Sequence, residues 1–243
     1  MTTPGSDQWR HHLQAWADDE FVLGHQLGDL VGSYFDLEEA VALGSLAQDH
    51  LVHARELYGL LGIDGDDLDR FVFERVPGEF RNSQLVEARV DDDFAALVVK
   101  MALYASAEEL RALAAVADGT AGDVAARILE EEAYHREHWW DWLAVLAGSD
   151  EGHQRVEQAL QRLVPLGADF FDDGQGPADG TAQAEEWRTG LSRRLDELGL
   201  GPLPGAPVSP ASGRRGAHSP DLAHSLASLA AVREPGRSEV TWG

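Results

Sequence analysis

Apolar residues recur along this chain in alternating steps of four and three, the spacing of helices that bury one face. The first run, from Ser6 or Asp7 to Val31, carries the stripe Trp9, Leu13, Trp16, Glu20, Leu23, Leu27, Leu30 and stops at Gly32-Ser33. Asp36 followed by Glu39 has the spacing of a capping box and predicts a second helix reaching Leu61, on the stripe Ala42, Leu46, Asp49, His53, Leu57, Leu60. A third helix is predicted over Asp91 to Ala117. After the break Asp118-Gly119-Thr120-Ala121-Gly122, a fourth covers Asp123 to Ala147, with Val124, Ile128, Glu131, His135, His138, Trp142 and Val145 on one side.

The connections set the order of these helices. The first two are joined by a few residues, which predicts an antiparallel hairpin. Asp64 to Arg89 reads as a long link, rich in acidic residues, Gly and Pro, anchored by Phe71, Phe73 and Phe80. A link of that length suits a crossover along a bundle, followed by the second hairpin. Beyond Gly148-Ser149 a fifth amphipathic helix is predicted from Glu151 to Phe171, with Pro165 kinking it or ending its regular part. Asp172 to Gly180 reads as loop, Ala182 to Leu198 as a sixth helix, and Gly199 to Gly216 as extended loop. Ser219-Pro220 starts a last helix through Leu222, Leu226, Leu229 and Val232. No segment carries a strand signal. The fold class is all-α: a ferritin-like four-helix bundle with additional C-terminal helices, read as one domain over 1–243 with core bundle 6–148 and helical extension 149–243.

Charged groups on core-facing stripes are where chemistry enters, because burying them is costly unless they pair or bind metal. In di-iron carboxylate bundles two helices each give a Glu and two others each give Glu-x-x-His. The fourth helix meets that pattern with Glu132-x-x-His135, and Glu131 offers a second carboxylate. Glu20 suits the single Glu of the first helix, unless stripe drift carries it to the surface beside Asp18 and Asp19. The third helix is ambiguous, with Glu108 and Glu109 present but Ala105 on the turn above them. The second helix fails: three residues before His53 stands His50, and three after Asp49 stands Val52. Asp49 and His53, one turn apart, can hydrogen-bond each other. The residues therefore favour a buried network of Asp49, His53, Glu131 and His135 over a working metal centre, and no metal is expected at the remnant Glu20, Asp49, His53, Glu131, Glu132, His135.

Composition narrows the partners and compartment. The 243 residues carry a formal charge of −24 and 44% hydrophobic residues, so neither nucleic acid nor an anionic membrane is an expected partner. There is no cysteine, which excludes disulfides, thiolate nucleophiles and iron–sulfur ligation in this chain. Any metal would be held by carboxylates and imidazoles, the ligand set of non-haem iron or manganese. The first 18 residues lack a basic stretch followed by an apolar one, and Phe94 to Ala107 is too short to span a bilayer. A cytoplasmic location is expected.

Several segments together resemble the non-catalytic ferritin-like subunit of bacterial phenylacetyl-CoA epoxidase, the PaaC-type subunit. They are Leu27-Gly28-Asp29, Asp49-x-x-x-His53-Ala54-Arg55, Phe80-Arg81-Asn82-x-x-Leu85-Val86-Glu87, Asp93-Phe94-Ala95, Glu131-x-x-Tyr134-His135 with Trp142-Leu143, Gly213-Arg214-Arg215-Gly216-x-His218, and Trp242. The resemblance implies a subunit without metal or other cofactor of its own, in an NADPH-dependent monooxygenase complex of phenylacetate catabolism. It implies as partners a homologous catalytic subunit holding di-iron and the CoA thioester, a reductase carrying flavin and an iron–sulfur centre, and small accessory subunits. Glu132 and the extra imidazole His50 depart from the family pattern. The alternative is a self-sufficient ferritin-like iron or manganese oxidase at Glu20, Glu108 or Glu109, Glu132 and His135. Arg214, Arg215 and His218, a basic point in an acidic chain, are candidate partner or ligand contacts. The consecutive faces of Trp139, Trp140 and Trp142 suggest that one of them meets another helix or a partner.

Overall fold

Ser6 accepts a hydrogen bond from the Trp9 amide and starts α1 (Asp7–Leu30). Asp36 does the same for the Glu39 amide at 2.8 Å and starts α2 (Leu37–Leu60). The capping box is only half made, because the Glu39 carboxylate points across the bundle instead. The computed structural model describes residues 6–33, 36–91, 93–115, 119–172, 182–205 and 212–232, with side chains described for all of these except 108–115. The side chains of Glu108 and Glu109, most of the loop 172–180, and Trp242 lie outside the described residues.

The link between the hairpins is more ordered than its composition suggests. It contains α3 (Gly65–Phe73), a 3-10 turn at Pro77–Glu79 and a single turn, α4 (Gln84–Glu87). The fully buried Phe80 and Leu85 pin it to the bundle, and Phe80 lies near Phe21 of α1, ring centroids 6.5 Å apart. α5 (Phe94–Ala115) and α6 (Thr120–Ala147) form the second hairpin. Glu39 meets His138 and Trp142, Asp49 meets His135, His53 meets Glu131, and Glu56 meets Arg127, so α2 and α6 run antiparallel.

α7 (Asp150–Leu163) packs on α5 and α6 and passes at Pro165 into a 3-10 segment, Val164–Asp169. Proline lacks the amide that a continuing helix needs, so the regular part ends there as the sequence predicts. α8 (Ala182–Glu197) packs on α5. The tail returns through a 3-10 turn at Gly213–Arg215 to α9 (Pro220–Val232), which lies against α1, the link and α4. No strand occurs among the described residues. No helix among them is long and apolar enough to cross a membrane.

α1 is thus covered on several sides: by α2, by α5, and by the link with the returning tail. That explains why Asp18, Asp19 and Glu20 are all fully buried. Three consecutive residues point about 100° apart around a helix, so each acid needs its own cation or donors. Lys100, the one lysine of the chain, is enclosed in the same way, donating to Gln26 Oε1 and to the carbonyls of Val86 and Ala88 at 2.5–2.8 Å.

Candidate functional site

Each of the three buried acids of α1 anchors a separate polar cluster. Asp18 accepts from the Tyr58 hydroxyl (2.5 Å), from both terminal nitrogens of Arg75 (2.7 and 3.1 Å) and from the Arg81 amide (2.7 Å). Asp19 accepts a two-pronged pair from Arg214 (2.7 and 3.0 Å) and the Ser83 amide at 2.7 Å. Glu20 enters the middle of the bundle, among imidazoles.

That central cluster joins four helices. Glu20 Oε1 accepts from the Tyr104 hydroxyl of α5 at 2.5 Å. Glu20 Oε2 pairs with His50 Nδ1 (2.7 Å) and His53 Nδ1 (3.3 Å) of α2. From α6, Glu132 Oε1 lies 3.3 Å from His53 Nδ1, 3.6 Å from His50 Nδ1 and 2.8 Å from His135 Nδ1. Two carboxylates at the rim of the α2–α6 seam hold the far ring nitrogens: Glu131 on His53 Nε2 (2.7 Å) and Asp49 on His135 Nε2 (3.1 Å). The side chains of these rim acids are 41% and 48% exposed, whereas Glu20, His50, His53, Glu132 and His135 are buried.

Electrostatics bind the cluster together. Burial works against the charge on His53, but the carboxylates of Glu132 and Glu20 overcome it and hold His53 at about 11. Burial likewise opposes the charge on His135, and Glu132 and Asp49 raise its pKa in spite of it. Burial pushes Glu20 and Glu132 upward, yet the facing imidazoles, His50 foremost among them, hold both below the usual carboxylate range.

The sequence located most of this cluster but assigned its centre to the wrong neighbours. The inward stripe of α2 is Leu43, Leu46, Ala47, His50, His53, Ala54, Leu57, with Asp49 beside it at the rim. On α6 the buried stripe is Ala125, Ile128, Glu132, His135, Trp139, Leu143, which puts Glu132 at the centre and Glu131 at the edge. Asp49 and His53 do not bond each other as expected; each reaches across to α6. His50 was the central residue the sequence reading left out. The signal that could have found it is its placement three residues before His53 and seven after Leu43, on the apolar stripe.

The structure gives the three candidate contact residues of the tail partners within the chain. Arg214 is 1% exposed and is spent inside the chain on Asp19 and on the carbonyls of Ala15 and Arg81. His218 is buried against Glu87 Oε2 (2.6 Å) and the Phe80 carbonyl (3.1 Å). Arg215 is half exposed and doubly bonded to Asp172 (2.7 and 2.9 Å). These residues tie the tail to the bundle. The tryptophans have internal roles too: Trp139 is buried, Trp140 lies under the Arg194 guanidinium of α8, and Trp142 donates to Glu39 and packs edge-on against Phe94.

The donor set does not suit a bridged pair of metals. Glu20, His53, Glu132 and His135 stand where such a bundle needs them, but α2 supplies His50 in place of the Glu of Glu-x-x-His. From α5 the residue at the cluster is Tyr104, a hydrogen-bond donor to Glu20. Among the described side chains, two central carboxylates are too few to bridge and neutralise two divalent ions.

A family model described as phenylacetic acid catabolic protein matches residues 1–242. No curated protein sequence matches the chain.

Proposed function

Since the chain belongs to the phenylacetic acid catabolic protein family, we propose that it is the non-catalytic scaffolding subunit of a cytoplasmic, multicomponent monooxygenase that epoxidises the ring of phenylacetyl-CoA. In this reading a homologous ferritin-like partner holds the di-iron centre and the substrate. A reductase with flavin and an iron–sulfur centre supplies electrons from NADPH, and small accessory subunits complete the assembly. The observation that carries it is His50 at the place of a bridging carboxylate, with the Tyr104 hydroxyl donating to Glu20. A self-sufficient iron or manganese oxidase would need a carboxylate on α2 where His50 stands.

A second feature supports a partner. Leu37, Val41 and Val52 are exposed on α2, and Tyr134 (71%) and Val145 on α6. The three α2 positions fall within about 60° around that helix and the two α6 positions within about 20°. Apolar groups gathered into stripes on adjacent helices, in a chain of charge −24, suit a face covered by another subunit.

Reconstitution tests the reading. The chain alone with reductase, NADPH and phenylacetyl-CoA should consume no oxygen. It should co-elute with the catalytic subunit on gel filtration, and turnover should appear when all components are combined. Val41→Glu with Tyr134→Glu should weaken co-elution without unfolding the chain. Full turnover by the catalytic subunit and reductase without this chain would refute the role.

A further inference from the structure

The donor set that fails for two metals has a geometry suited to one. Four atoms, Glu20 Oε2, Glu132 Oε1 and the Nδ1 atoms of His50 and His53, form a ring in which carboxylate oxygens alternate with imidazole nitrogens. Its four edges are 2.7, 3.3, 3.6 and 3.3 Å. One donor from each of these residues lies within 4.8 Å of all the others. A tetrahedral ion with bonds of 2.0–2.2 Å requires edges of roughly 3.3–3.6 Å. Three edges already have that length. The short one, between Glu20 and His50, is a hydrogen bond that would open as both atoms turned to a cation.

The surroundings are those of a ligand set held in place. His53 receives Glu131 on its far nitrogen at 2.7 Å, the carboxylate–imidazole relay that orients metal-binding histidines. Tyr104 holds the other oxygen of Glu20, and His135 holds Glu132 from the side. Glu132 Oε2 is buried and has no hydrogen-bond partner among the described residues. Its charge is therefore incompletely answered by the protein, which a buried carboxylate tolerates poorly. The charges also match once the cation displaces the proton at His53 Nδ1: two central carboxylates and neutral imidazoles balance one divalent ion. Mixed nitrogen and oxygen donors favour a first-row transition cation over magnesium or calcium, which prefer oxygen alone.

We propose that Glu20, His50, His53 and Glu132 bind a single divalent transition-metal cation, with zinc as its representative, which fastens α1, α2 and α6 together. All four protein donors are buried, and a tetrahedral ion would take all of them, which leaves a structural role and no open position for substrate. The expectation of a metal-free remnant counted Asp49 as the inward acid of α2; with His50 there, a different donor set results. The inference is independent of the scaffolding role.

The test uses the full chain, stripped with a chelator, dialysed, and titrated separately with Zn2+ and Co2+. One equivalent should bind saturably, the cobalt form should show the intense visible bands of tetrahedral coordination, and zinc should displace it. The melting temperature should rise on loading. His50→Ala and Glu132→Gln should each weaken binding by at least about tenfold, while Glu39→Gln, in the separate His138–Trp142 cluster, should leave it unchanged. If either variant does not fold, the stoichiometry and cobalt spectrum of the parent decide. No saturable uptake, two equivalents per chain, an octahedral spectrum, or undiminished binding by both folded variants overturns the proposal.

Discussion

Replacing Arg214 with Met measures how the tail is held, because the side chain bridges segments far apart in sequence. Its guanidinium is 1% exposed and makes two bonds to Asp19, one to the Ala15 carbonyl and one to the Arg81 carbonyl, all 2.7–3.0 Å. Met occupies similar length but donates nothing, so the fully buried Asp19 loses its cation. Breaking a buried pair from one side costs about 3–5 kcal/mol, against about 0–1 kcal/mol for an exposed pair. In a chain of this length each kcal/mol moves the melting temperature by roughly 2–4 °C, so a fall of roughly 6–20 °C is expected. Urea unfolding followed by circular dichroism should show a lower midpoint. The double variant Asp19→Asn with Arg214→Met removes the stranded acid while leaving an acceptor for the Ser83 amide. It should therefore lose clearly less than the sum of the two single variants. A loss below about 1 kcal/mol for Arg214→Met, or strict additivity in the double variant, would refute the reasoning. Were Arg214 a partner contact, the isolated chain would keep its midpoint and only complex formation would suffer.

Two further outcomes follow from other parts of the structure. Burial, reinforced by the Asp18 charge and only partly offset by Arg75, raises the Tyr58 pKa well above its ordinary 10.0. The folded chain therefore holds this proton where the unfolded chain releases it, so the contribution is complete below pH 10.0 and lost as pH rises through the folded value. Tyr58→Phe should flatten the alkaline limb by up to about 1.4 kcal/mol per pH unit, checked by unfolding between pH 9 and 11.5; an unchanged slope would count against it. At Gly24 an added Cβ would lie 2.8 Å from Leu51 Cγ and 2.9 Å from the Ala47 carbonyl, both on α2. Gly24→Val should force α1 and α2 apart and cost about 1–3 kcal/mol by chemical unfolding, and an unchanged midpoint would show that the hairpin packs less closely there.

The sequence by itself determined the long helices, because a 3.6-residue repeat of apolar positions and a cap residue are local properties, whereas α3 and α4 lie in a segment that reads as a link. Ser6 and Asp36 begin α1 and α2, Pro165 ends the regular part of α7, and Pro220 begins α9, all as read from the chain. The stripe of α1 was legible down to Glu20, since its apolar residues are large and unambiguous. What the sequence did not determine was which of two adjacent stripes faces inward on α2 and α6. Residues one apart differ by about 100°, and on these helices either stripe contains both apolar and charged groups. Packing decided it: α1 and α5 occupy the inner side, so His50 and Glu132 turn to the centre while Asp49 and Glu131 stay at the rim. The same holds for the acids of α1 and for Arg214. Local sequence places Asp18-Asp19 at the surface and offers Arg214-Arg215 to a partner or ligand, because charge is costly to bury. Only the return of the tail across α1, nearly 200 residues later in the chain, brings Arg214 to Asp19 and makes burial of both affordable by pairing them.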